Sequence, residues 1–204
     1  MKLFTFILFS IFFITSCKKK EEDKFIVNLK YYSSTIEFDR IDNFDTLVSW
    51  KWMNDNAASH RQCYRIQNSK LGIKMENGML PEKAEYFDQM TIQTPFGKNT
   101  MDSFSAETIS EHLTGIKDLY LFERPSDKIF KFDSLTIDGR KFGVFGIKRL
   151  FDTQSRDVHT KIIFMTNLNN NVLGFEFYTN IYPADKFYLK SLKMINTIKI
   201  KHYR

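Results

Sequence analysis

The chain has 204 residues, with 30 Lys and Arg against 24 Asp and Glu, for a formal charge of +6. Aromatic residues make up 16 % of it and charged residues 26 %, a core-forming composition that excludes a disordered chain. Its basic residues are interspersed with acids over most of the length, which argues against a nucleic-acid-binding stripe. Lys2 precedes Leu3 to Ile14 (LFTFILFSIFFI), a run without charge. As a helix that run reaches only about 18 Å, short of the ~30 Å hydrocarbon core, and it fits the apolar region of a secretory signal peptide.

Ile14-Thr15-Ser16-Cys17 follows: a branched apolar residue, two small residues and a cysteine. This ending resembles the lipobox of bacterial lipoproteins. The resemblance implies a signal peptide over residues 1–16 and a mature chain that begins at Cys17, with its thiol carrying a diacylglyceryl group. Two or three acyl chains on one residue anchor a protein stably, where a single chain binds only marginally. The first expected partner is therefore membrane lipid, held through acylated Cys17, and the expected address is the cell envelope, at the outer membrane.

Lys18, Lys19 and Lys20 are balanced by Glu21, Glu22 and Asp23, so residues 17–24 read as a lipidated cysteine and a solvated tether. Lys20-Glu21-Glu22 also resembles the export signal that sends some lipoproteins of the Bacteroidetes type to the cell surface. With Cys17 given to lipid, the second cysteine, Cys63, has no intramolecular partner, and the exported domain stands without a disulfide of its own. Loss of residues 1–16 removes only Lys2 and leaves a charge of +5.

Residues 25–204 are expected to form a single globular domain, long enough to bury roughly 70 % of the surface its unfolded chain exposes. Phe25–Glu37 reads as a strand and Asp42–Met53 as a helix or an irregular lead-in. Cys63 to Met75 reads as two short strands around Asn68-Ser69. Ser103 to Ile116 places Ala106, Ile109, Leu113 and Ile116 on one helical face, with Asp102 or Ser103 as cap and Gly115 near the end.

From Phe130 onward the pattern is clearer. Phe130–Ile137 alternates, Asp138-Gly139 supplies a tight turn, and the chain continues through Phe142, Val144 and Ile147. Val158–Thr166 and Val172–Ile181 form a further antiparallel pair about Asn169-Asn170-Asn171, because asparagine tolerates the left-handed region. Pro183 opens a second helix, with Asp185 and Lys193 placed to suit its dipole, and Thr197–Lys201 alternates as a short terminal strand.

This order of elements resembles the PsbP-like fold. The stretches that carry it are CYRIQNSKLGIKM, FSAETISEHLTGI, LTIDGRKFGVFGI, TKIIFMTNLNNNVLGFEFYT and FYLKSLKMINTIKI. The resemblance implies an α+β protein, an α/β/α sandwich with a curved antiparallel sheet flanked by helices. Met79-Leu80-Pro81-Glu82 lacks the tryptophan that usually follows the proline in that family. The family supplies no shared catalytic set, and the resemblance implies a role in binding or assembly.

No catalytic constellation is found in the residues themselves. His60 and Cys63 have the spacing of half a metal site but no second pair, and His112, His159 and His202 stand alone, so no metal and no cofactor are expected. Cys63 with His60 or His159, and Glu107 with Glu111 and His112, are read as core and solvated-face residues rather than chemistry. Trp50-Lys51-Trp52 would put both indoles on one face of a strand, which marks Trp50 and Trp52 as candidate partner-binding residues. The basic end of Lys199, Lys201, His202 and Arg204 is a candidate contact for lipid headgroups, but its alternation with Ile198 and Ile200 reads as the wet face of a terminal strand. The expected function is a non-enzymatic, lipid-anchored envelope protein that binds a protein or small ligand, as an immunity or assembly factor does. An envelope-acting hydrolase is the alternative.

Overall fold

A computed structural model describes residues 24–29, 32–41, 43–53, 60–72, 86–93, 107–150 and 158–203. The leader, Cys17, the charged tether and Pro81 lie outside the described residues. β1 (Lys24–Leu29) and β2 (Ser34–Asp39) alternate strictly, sending Phe25, Val27, Leu29, Ile36 and Phe38 to one face, where they are buried. Ser33, at φ 45°, helps turn one strand into the other.

The large sheet begins with β3 (Thr46–Met53), β4 (His60–Gln67) and β5 (Asp88–Gln93). It is completed by a meander: β6 (Lys128–Ile137), β7 (Arg140–Leu150), β8 (Val158–Leu168) and β9 (Asn171–Thr179). Asp138 and Gly139, at φ 49° and 71°, close the β6–β7 hairpin, and Asn169 and Asn170, at 49° and 62°, close β8–β9. Both turns need two successive left-handed residues, which Asp-Gly and Asn-Asn supply at low steric cost. The chain order in space is β3-β4-β5-β9-β8-β7-β6, and every pairing is antiparallel.

Two helices lie on opposite faces of this sheet. α1 (Ile109–Glu123) sets Ile109 and Leu113 against β7 and β8, over Phe145, Ile147, Ile163 and Met165. Gly143 makes that approach possible: a Cβ there would fall 2.8 Å from Ile109 Cγ2. α2 (Ala184–Ile195) follows Pro183, whose carbonyl accepts the Phe187 amide at 2.9 Å, and buries Phe187, Ser191, Met194 and Ile195 on the other face. β10 (Lys199–His202) then pairs with β2, giving a three-stranded sheet in the order β1-β2-β10.

The main core fills the space between the two sheets and α2. Phe142, Phe164, Phe175, Phe177 and Phe187 are all buried there, each contributing about 2–3 kcal/mol through apolar burial.

The sandwich of helical layers expected from the PsbP-like order is not what forms. Among the described residues there are ten strands in two antiparallel sheets and only two helices, a β-rich fold. The physical reason lies at the two ends of the domain. The Phe25–Glu37 region is two strands rather than one, and they recruit the terminal strand into a second sheet that shares the α2 face. The Asp42–Met53 segment is strand from Thr46, paired with β4 through all eight of its residues. α1 also runs past Gly115, because Ile116 and Tyr120 continue its apolar stripe as far as the restriction imposed at Arg124 by Pro125.

Candidate functional site

The second face of the large sheet, away from the main core, divides into two regions. Over β7 and β8 it is apolar and covered by α1. Toward β9, β5 and β4 the same face becomes polar. Register aligns Lys161 with Tyr178 and Gln89, and Gln89 with Gln67; the next row runs from Ile163 to Glu176, Thr91 and Arg65. Lys161, Glu176, Tyr178, Gln89, Gln67 and Arg65 are all buried.

These groups are wired together. Lys161 Nζ lies 3.2 Å from Glu176 Oε2 and donates to the Tyr120 hydroxyl of α1 at 2.6 Å. The Tyr178 hydroxyl donates to Glu176, and the Lys161 ammonium also stands over the rings of Tyr120 and Tyr178, 5.2 and 4.9 Å from their centroids. Arg65 Nε donates to Gln67 Oε1 at 2.8 Å. Withdrawing a carboxylate and an ammonium from water is expensive even when they are paired, and a hydrophobic pair of the same volume would pack at lower cost. The network fixes α1 to β8 and β9 and gives this face a single arrangement.

Neither half of the ion pair stood out in the sequence, because TKIIF and GFEFY read as core strands. The signal that could have found it is the Asn169-Asn170 turn. Once that turn sets the hairpin register, positions 161 and 176 become diagonal neighbours on one face.

Among the described residues β3 lies at one end of the sheet, and it carries Trp50 and Trp52. Register pairs Val48 with Arg65, Trp50 with Cys63 and Trp52 with Arg61. Positions 48, 50 and 52 therefore share the face of the polar rows, beyond β4. The sheet ends also differ in their protection. β6 carries Lys128, Lys131 and Asp133, and its pairing with β7 slips between Ile129 and Lys131, as in a bulge. β10 has two lysines and a histidine in four residues. β3 pairs without interruption and carries a single charge, Lys51. Charge and bulges are how natural edges resist strand addition, and β3 uses neither to any extent.

The remaining candidates do not converge. His60 and Cys63, three apart in a strand, occupy opposite faces of the sheet, so i,i+3 spacing does not make them joint ligands. His159 is on β8, three strands from Cys63, with its ring edge-on to Phe87 at 4.8 Å. Glu107 and Glu111 are exposed around the start of α1, and partial loss of solvent around the His112 imidazole beside them holds it below its ordinary pKa. No group of three metal-ligating side chains occurs among the described residues. Nor is any helix of those residues long and apolar enough to cross a membrane.

No protein-family model matches this chain, and no curated protein is similar to it. Its function is read from the arrangement of its own residues.

Proposed function

We propose that this is a lipid-anchored, exported envelope protein, non-enzymatic, whose domain binds an extended segment of a partner protein along β3. Ile14-Thr15-Ser16-Cys17 and the charged tether support the anchor. The observation that carries the binding role is that β3 is a regular eight-residue edge with one charge and with Trp50 and Trp52 at alternate positions. An added strand gains main-chain hydrogen bonds from such an edge, and flanking aromatic side chains supply the specificity. The buried Lys161–Glu176 network on β8 and β9 of the same sheet favours recognition over turnover, since Glu176 is engaged by a cation and a phenol.

In-cell crosslinking and capture of the full chain tests this. Partner recovery should fall in a W50A/W52A variant and in S49K, which places a second charge on β3, and should persist in K186E on the exposed side of α2. Identical capture by all four chains would overturn the reading.

A further inference from the structure

The solvent face of the three-stranded sheet combines lysines, carboxylates and one exposed apolar side chain. Lys24, Ile26 and Asn28 of β1 point outward, and register carries this face through Thr35, Glu37 and Asp39 of β2 to Lys199 and Lys201 of β10. Three lysines thus stand against two carboxylates on this face, while Arg40, past the end of β2, lies over the ring of buried Phe25, 4.7 Å from its centroid. Lys201 Nζ lies 2.6 Å from Glu37 Oε1, and that hydrogen bond, with the charges of Lys24 and Lys199 adding to it, holds the Glu37 carboxyl below its ordinary range. Ile26, 55 % exposed, sits among them as an unshielded apolar side chain.

The chain ahead of this face limits where it sits. Cys17 through Asp23 span at most about 25 Å when fully extended, and a flexible segment of that length averages roughly 15 Å. A domain of this size has a radius of gyration of roughly 16 Å. Lys24 therefore stays within about 25 Å of the lipid that holds Cys17, and on average within about one radius of gyration.

We propose that the outer face of β1-β2-β10 rests on the anionic phospholipid leaflet that holds the acyl chains of Cys17, with Lys24, Lys199 and Lys201 meeting headgroups and Ile26 entering between them. This orientation rests on the lipid-anchor reading. Basic residues close to an anionic leaflet are attracted over about a Debye length, and a single apolar side chain adds interfacial affinity without spanning anything. The exposed apolar residues Leu119 and Phe122 belong to α1, on the opposite face of the large sheet, and this orientation turns them away from the leaflet. β3, at an end of the large sheet, is left accessible to a partner.

The test is lysine acylation, read by mass spectrometry, on the mature lipidated protein in two kinds of lipid disc. One holds phosphatidylcholine alone and the other includes phosphatidylglycerol. Lys24, Lys199 and Lys201 should react about fivefold more slowly in the anionic discs, while Lys117 on α1 and Lys128 on β6 react equally in both. K199E/K201E should abolish the protection of Lys24 while leaving the protein in the discs. Uniform reactivity, or protection of Lys117 and Lys128 instead, would overturn the orientation with the anchor intact. A mature chain without acyl mass on Cys17 would overturn the anchor itself, and the orientation with it.

Discussion

Lys161 on β8 and Glu176 on β9 form an ion pair of 3.2 Å from which water is almost wholly excluded, with a tyrosine hydroxyl on each partner. Removing one member leaves the other charged in a site built for two. Lys161→Met and Glu176→Leu should each cost about 3 kcal/mol of stability, while the double variant should cost less than either alone. Urea unfolding of the four chains checks this; additive losses would mean that the two charges do not compensate one another.

The contact between α1 and the sheet depends on the missing side chain at Gly143. An added methyl would meet Ile109 Cγ2 at 2.8 Å and Met165 Cγ at 3.4 Å. Gly143→Ala should therefore lift the start of α1 and cost about 1–3 kcal/mol. Gly115→Ala in the same helix meets nothing within 4 Å and should stabilise by about 0.5–1 kcal/mol through helix propensity. Thermal melts of the two variants should move in opposite directions.

The meander was legible because turn chemistry and strand alternation point the same way at Asp138-Gly139 and at Asn169-Asn170. α2 was legible from Pro183 and from the placement of Asp185 and Lys193 along its dipole. β3 was not: SWKWM has no capping or turn signal of its own, and β4 decides its conformation across a gap in sequence. The second sheet was hidden for a similar reason. β10 joins β2 across more than half the chain, and nothing local in KIKH names that partner. At the candidate site, Trp50 and Trp52 stood out by composition, whereas Lys161 and Glu176 acquire meaning only once register sets them side by side.

Asp45 ties the start of β3 to the turn after β4. Its carboxylate accepts the Ser69 hydroxyl at 2.7 Å, the Ser69 amide at 2.9 Å and the Thr46 hydroxyl at 2.9 Å. The Ser69 side-chain hydrogen bond is the largest cause holding this carboxyl below its ordinary value, ahead of a small opposing effect of burial. Because the folded-state pKa is depressed, the stabilisation is fully present above the unfolded value of 3.8 and is lost as pH falls through the folded value. At this exposed position Asp45→Asn should cost a few tenths to about 1 kcal/mol at neutral pH. The gap between the two proteins should close in acid, measured by denaturant unfolding at neutral pH and near pH 3; a gap independent of pH would mean that the charge contributes nothing.

The anchor makes the sharpest prediction, because the two outcomes differ in kind. Acyl chains on Cys17 would supply nearly all of the membrane affinity, since each buried methylene contributes about 0.8 kcal/mol, and no helix of the described residues is able to span a bilayer. In the proposed orientation the outer face of β1-β2-β10 would orient the domain but would be too small to hold it alone. Cys17→Ser should therefore move the protein from the membrane fraction to the soluble envelope fraction at physiological salt. The K199E/K201E variant should stay with the membrane in the same fractionation. Release of the charge variant with retention of Cys17→Ser would reverse the assignment, making the sheet face the anchor and Cys17 an ordinary residue.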